Sequence, residues 1–328
     1  MTQLSADSLE TIGESFMLND LTILSTLNFP RLTSVDTIDW EALPALQGLS
    51  FTTAVQQAKT LSIQNTQLNS LDGINLQTVD SVMIANNNYL EMISMQLGNI
   101  STALNIEANG RNVTAEFPNL EWAFNMTFRN VSSVSIPSLA SLNGSLGFYS
   151  NFFSGVSAPN LTTVGGSLSF VSNEDLTNVT MPQLKTVSGG LQLANNTDLD
   201  HISGFPNLQT VGGALDFYGN FSDVELPKLM DVRGAFNMQS SDDISDACNH
   251  FKPLSGPNNV IKGTYTCSGR QQKPGGTGTL PSGTNSGNGD GTSSGSGSSS
   301  SSSSPATAIK ISGATGLMGV VAAIFGML

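Results

Sequence analysis

Apolar residues in the second half of the chain recur as a repeated unit. Aligned on itself, that half reads IPSLASLNGSLGFYSN, APNLTTVGGSLSFVSN, MPQLKTVSGGLQLANN, FPNLQTVGGALDFYGN and LPKLMDVRGAFNMQSS, with prolines at 137, 159, 182, 206 and 227. A fixed period in the low twenties is the signature of a solenoid, in which each coil buries its apolar side only by stacking on its neighbours. Each unit ends in an apolar-x-apolar pair that reads as a strand. Carried backwards, the pair places strand starts at Phe16, Ile38, Leu61, Val82, Leu104, Phe124, Leu146, Leu168, Leu191, Leu215 and Phe236. The expected fold is all-β: a parallel solenoid of about eleven coils, with strands ~4.8 Å apart along a rod on the order of 50 Å. Two-residue alternation turns the first and third strand residues inward. It turns outward a middle column of Met17, Asp39, Ser62, Met83, Asn105, Asn125, Gly147, Ser169, Gln192, Asp216 and Asn237.

Three further columns follow from the same alignment. The pairs Gly165-Gly166, Gly189-Gly190 and Gly212-Gly213 precede strands and predict corners at positive φ, which costs least for glycine. Five residues after the strand starts stand Asn87, Asn109, Asn151, Asn173, Asn196 and Asn220. They form either an inward ladder of amides that caps bent backbone or a set of exposed turns. Trp40 and Trp122 are expected in the core.

Composition divides the chain. Periodicity ends near Arg270, and residues 271–308 hold only Lys273 and Asp290 as charges among Gly, Ser, Thr and Pro, a stretch that cannot bury a core. The division is a solenoid over 1–247, a cap over 248–270, a disordered Ser/Gly/Thr-rich stalk over 271–304 and a terminal signal over 305–328. Cys248 and Cys267 fall in the cap, where a disulfide would close the open end of the core; free thiols or an intermolecular bond are the other readings. Small residues around Ser302, a spacer from Pro305 to Ser312 and the apolar end from Gly313 to Leu328 match a GPI-attachment signal, with Ser302 as the attachment residue. An ordinary tail anchor is the rival. The opening MTQLSADSLETIGESF has neither a basic nor an apolar leader region, and the repeat is already in progress at Phe16, so the true start is expected upstream.

Charge narrows the function classes. Lys+Arg 12 against Asp+Glu 25 gives −13, which excludes an electrostatic grip on nucleic acid. Two Cys and two His leave no material for a multi-ligand zinc site or a Cys/His catalytic pair, so neither metal nor cofactor is expected. For catalysis the candidates are Glu174/Asp175, Asp242/Asp243 and the group Asp198, Asp200, His201. Glycoside hydrolysis needs two carboxyls ~5–10 Å apart in a cleft, and a solenoid supplies none, so these read as solvated turn residues and the protein as no enzyme. Sequons at Asn99, Asn112, Asn125, Asn130, Asn143, Asn160, Asn178 and Asn195 are candidates for N-glycosylation; a ninth, Asn220, also occupies the ladder column and is expected to be buried. The outward middle column has no aromatic residue, which disfavours sugar stacking, although Tyr149 and Tyr218 share the next outward column and can either flank a shallow site or pack on neighbouring coils.

The stretches TIDWEALPALQGLSF and LSIQNTQLNSLDGINLQTVDSVMIANNNYLEMI, the PNLTTVGGSLSF-type coils, two late Cys, a Ser-rich stalk and an apolar end together resemble the fungal GPI-anchored cell-wall organisation proteins of the sporulation-specific/extracellular-mutant type. The resemblance covers residues 15–328. It implies a right-handed β-helix of leucine-rich-repeat-like coils, similar to the receptor L domain. It also implies a non-enzymatic glycoprotein at the outer side of the plasma membrane and in the wall, contributing to wall organisation and integrity. Membrane contact would run through the GPI lipid, and the implied partners are wall polysaccharide or wall proteins. The family normally opens with a signal peptide and a Cys-containing cap, and neither is in this sequence. The alternative function is a receptor-like module that binds a protein or polysaccharide through the solenoid face.

Overall fold

Strand-forming pairs at a fixed spacing stack in register when each coil presents the same apolar column to the next. The computed structural model, which describes residues 1–276, shows this stacking directly. Phe16 pairs with Ile38, Ile38 with Leu61, Leu61 with Val82 and Val82 with Leu104, all parallel. The column continues through Met126, Leu146, Leu168, Leu191, Leu215 and Phe236. A twelfth strand, Tyr265–Ser268, pairs with Phe236–Ser240. Ten of the eleven expected starts are in this register. The exception is Phe124, which is 42% exposed; Met126 takes the inward place and Thr127 replaces Asn125 in the outward column. Trp40 is buried, whereas Trp122 is half-exposed, contrary to the core placement expected of it.

Each coil has a short arm, a corner and a main strand. In the second half the arms are two-residue strands such as Thr163–Val164 and Thr210–Val211, and the corner glycines separate them from the main strand. In the first half arm and strand run together, as in Asn99–Glu107, with the register slipping between Ile100 and Ala103. The corner glycines do not have positive φ. They are required by close approach: a Cβ on Gly165 would lie 2.2 Å from the Asn143 carbonyl oxygen, and one on Gly212 would lie 2.2 Å from that of Ser188. A second, discontinuous set of short parallel strands forms the opposite side, from Gln3–Ser5 to Asp223–Val224. The core lies between the two sides and includes the stacked rings of Phe128, Phe148 and Phe170, with centroids 5.4 and 4.9 Å apart.

Positive φ falls at the other bend, just after the main strand. Asn65, Asn86, Ala108, Asn130, Ser150, Ser172 and Asn195 have φ between 51° and 57°. This bend turns the next residue inward, and after five of these seven bends that residue is an asparagine of the ladder. Asn87 and Asn109 form one run with Thr66: Asn87 Nδ2 donates to the Asn109 side-chain oxygen and to the Ile63 carbonyl, both at 3.0 Å. Asn151, Asn173 and Asn196 form a second run, and Val131 stands at the break between the two. Asn220 does not join. The residue before it, Gly219, continues the strand Leu215–Gly219 without the left-handed bend, so Asn220 stays half-exposed and its Nδ2 donates to the Thr197 carbonyl.

Ala108 adopts φ 53° without a side chain that can bond locally, a conformation that costs an L residue ~1–2 kcal/mol. Glycine removes that cost while adding unfolded-state freedom of ~0.4–1 kcal/mol. Ala108→Gly is therefore expected to raise stability by about 0.5 kcal/mol, read as an increase in urea midpoint at unchanged slope. A decrease would show that the bend is not strained.

The end of the core is closed by a cap. Helix Ser245–Phe251 buries Ala247 and Phe251, with the Phe251 ring 5.1 Å from that of Phe236. Cys248 on this helix is bonded to Cys267 on the last strand, with the Cα atoms 5.5 Å apart. A cross-link closing a loop of this size is worth ~3 kcal/mol in the chain-entropy picture. Residues 271–276, which composition places in the stalk, turn back along the outer face of the main sheet: Gln271 N–H donates to the Ser240 carbonyl, and Asn237 Nδ2 donates to that of Gly275. The rest of the stalk, Ser302 and the apolar end lie outside the described residues.

Candidate functional site

A solenoid displays its chemistry in columns, so the question for each face is which side chains remain accessible. The middle column of the main sheet divides in two. Met17 is 64% exposed, but Gly147, Ser169, Asp216 and Asn237 are buried, contrary to the solvent-facing place expected of them. Tyr149 folds over Gly147, where a Cβ would lie 2.4 Å from its ring, and Arg129 lies over the same ring at 5.1 Å. Residues 271–276 cross Asp216 and Asn237: Asp216 accepts a 2.7 Å hydrogen bond from Asn237 Nδ2, and Gln239 Oε1 accepts from Gly275 N–H. Tyr218 lies against Gly276, and burial, then the charge of Asp216, raises its phenol pKa. The two tyrosines are thus packed against their own sheet and do not form an open platform.

The acidic candidates are spread over separate turns. Glu174 and Asp175 are exposed at one side of a groove of about 280 Å³, with Arg111 stacked over Phe152 at 5.2 Å at the other. Asp243 accepts from the Ser245 hydroxyl and N–H at the helix start and from Arg270, in that order of effect, which holds its carboxyl at about 2. Asp200 is lowered by hydrogen bonds from Ser222 and by the adjacent His201. A lowered pKa keeps a carboxyl ionised and unsuited to donate a proton, the role that a glycosidase acid needs. His201 lies between Asp200 at 3.2 Å and Asp223 at 3.9 Å. Among the described residues no group of three or more His, Cys, Asp or Glu is placed to hold a metal.

A larger groove of about 440 Å³ runs between the last strand of the opposite side and the cap helix, with Asp223, Glu225, Asp246 and His250 among its lining. The repeat alignment does not indicate it, because it exists only where a helix replaces the next coil's strand. The sequon asparagines sort by environment. Asn99, Asn112, Asn143, Asn160, Asn178 and Asn195 are exposed, whereas Asn125, Asn130 and Asn220 are half-buried. Asn125 accepts from the Ser145 N–H at 2.8 Å, and Asn130 Nδ2 donates to the Ser150 carbonyl at 3.2 Å.

Comparison with known proteins decides the family. A "Cell surface GPI-anchored protein" of Arthroderma benhamiae is 45% identical over 275 residues, which span 84% of this chain and 70% of that protein. "Protein ecm33" of Aspergillus fumigatus is 42% identical, spanning 87% of this chain and 72% of the relative. The chain belongs to the fungal Ecm33 family. A third Ecm33-family relative, "Cell wall protein ecm33" of Schizosaccharomyces pombe, is 37% identical over 82% of this chain and 63% of its own length. Two of these names describe a cell-surface and a cell-wall protein, and none of the three describes an enzyme. No protein-family model and no solved structure matches this Ecm33-family chain. No helix among the described residues is long and apolar enough to cross a membrane.

Proposed function

We propose that this chain is a non-enzymatic, GPI-anchored glycoprotein of the fungal cell surface and wall, and that it contributes to wall organisation and integrity. The observation that carries this reading is the 45% identity, over most of both chains, to a relative named as a cell-surface GPI-anchored protein. The terminal pattern of small residues, spacer and apolar end supports the anchor, with Ser302 as the attachment residue. Exposure favours glycans at Asn99, Asn112, Asn143, Asn160, Asn178 and Asn195 over the half-buried Asn125 and Asn130. A stiff stack of coils on a Ser/Gly-rich stalk would hold glycans and side-chain columns away from the bilayer, a role that needs no catalytic group.

Treatment of membranes with a phosphatidylinositol-specific phospholipase is expected to release the mature protein, and the peptide from Gly313 to Leu328 is expected to be missing from it by mass spectrometry. Detection of that peptide in the mature protein would overturn the anchor. A form transferred to the wall can resist the lipase, which makes the peptide measurement the deciding one.

A further inference from the structure

The bend that follows the main strand is not equally long in every coil. It runs from the ladder residue Asn87 to Ile93 and from Asn109 to Ala115, six residues on in each case, but from Val131 to Val134 only three. Beyond that coil the bend lengthens again, from Asn151 to Val156 and from Asn173 to Val179. The short coil is therefore recessed between its neighbours, and the groove of about 280 Å³ lies there, with Asn130 of that coil in its lining. Arg111, on the long bend to one side, reaches across the recessed coil and places its guanidinium over the Phe152 ring on the other. Glu174 and Asp175, one coil further on, form the opposite wall. Both signs of charge thus line one groove, yet among the described residues none of these three side chains is in an ion pair.

We propose that this groove is a binding site for a neutral saccharide. Its mixed charge selects the class. A cation held by the carboxylates would face Arg111 and an anion held by Arg111 would face two carboxylates, whereas one sugar hydroxyl can accept from a guanidinium N–H and donate to a carboxylate at once. Lying over Phe152 fixes the plane of Arg111 and leaves its N–H donors unspent, so little ordering remains for binding to supply. Asn130 adds an acceptor, since its Nδ2 already donates to the Ser150 carbonyl at 3.2 Å while its side-chain oxygen bonds to no described residue. The Ser172 hydroxyl, equally unengaged among the described residues, adds both a donor and an acceptor. The volume, just below the ~300–1,000 Å³ usual for small-molecule pockets, fits one or two sugar rings. The exposed sequon residue Asn112 directly follows Arg111, so the sugar has two sources: a glycan carried there by this chain, or a separate saccharide. The inference rests on the groove and stands apart from the anchoring and wall role proposed above.

The test uses the full chain, with and without enzymatic removal of its N-glycans under native conditions, titrated with disaccharides of glucose, mannose and N-acetylglucosamine and followed by ligand-observed NMR. Saturable binding of at least one probe is expected, with a Kd on the order of 1 mM or tighter and no change between low and physiological salt, because the ligand carries no charge. Arg111→Gln and Glu174→Gln/Asp175→Asn, which alter exposed side chains, should each weaken binding roughly tenfold, the loss of a charge-assisted hydrogen bond. The variant Glu10→Gln/Glu14→Gln, which changes exposed carboxylates on the first coil, should bind as the parent does. Binding by the glycosylated and the stripped protein alike identifies a separate saccharide as the ligand, and binding only after stripping identifies the chain's own glycan as the occupant. Four outcomes overturn the proposal: no saturable binding by the stripped protein, full binding by both groove variants, equal loss in the first-coil variant, or displacement of the sugar by lysine or inorganic phosphate.

Discussion

Replacing Asn173 by leucine is expected to lower the unfolding free energy by about 4 kcal/mol or more, an unusually large effect for one polar side chain. In the native coil its side-chain oxygen accepts from Asn151 N–H at 3.0 Å and Asn151 Nδ2 at 2.9 Å, while its own Nδ2 donates to the Phe148 carbonyl at 3.1 Å and to the Asn196 oxygen at 3.0 Å. Asn173 is fully buried, so leucine would leave several partners unsatisfied and away from water, at ~1–3 kcal/mol each. Packing alone would favour the leucine, which makes the sign of the change informative. The measurement is a denaturant titration beside Asn178→Ala, an exposed asparagine in the same coil. Equal midpoints for the two variants would show that the amide run carries no stability.

The second large effect concerns adjacent residues of one strand. Leu215 is fully buried between its register partners Leu191 and Phe236, and a carboxylate there has no partner on either coil, so Leu215→Asp should cost several kcal/mol and weaken two coil interfaces together. Asp216 is 2% exposed and holds Asn237 beneath residues 271–276. Asp216→Ala should therefore cost roughly 1–3 kcal/mol, well beyond the ~0.5 usual for a surface position. Thermal melts of both variants separate the cases: a silent Asp216→Ala would mean that the crossing segment does not cover the sheet in solution, and a mild Leu215→Asp would mean that the register is wrong.

Much of this architecture was readable because a solenoid repeats its physics. Leu168 and Leu215 could be placed from spacing alone, since every coil asks the same question and a shared register answers it. The slip at Phe124 shows the limit. The run Phe124, Met126, Phe128 alternates apolar residues at three positions, and starts at 124 or 126 give intervals of 20 and 22 in either order, so spacing could not choose. The choice is made by Asn125, whose oxygen takes the Ser145 N–H at the corner and turns Phe124 outward. The corner glycines were located correctly but for the wrong reason, because the repeat shows where small residues fall and not which backbone atom lies 2.2 Å away. Asn220 left the ladder through a backbone torsion that its column position does not encode. The burial of Asp216 and the acidic groove both depend on segments outside the repeat, one crossing a face and the other replacing a strand, and no periodicity reports on either.

The crossing of residues 271–276 over the main sheet also sets how pull from the carboxyl side reaches the domain. Tension arriving at Gly276 would meet first the two hydrogen bonds that Gly275 makes with Asn237 and Gln239. Once they part, the load passes through Arg270, held to Asp243, to Cys267, where the covalent link to Cys248 ties the last strand to the cap helix. The protein would thus carry a soft fuse in series with a hard stop: a few hydrogen bonds ahead of a covalent bond.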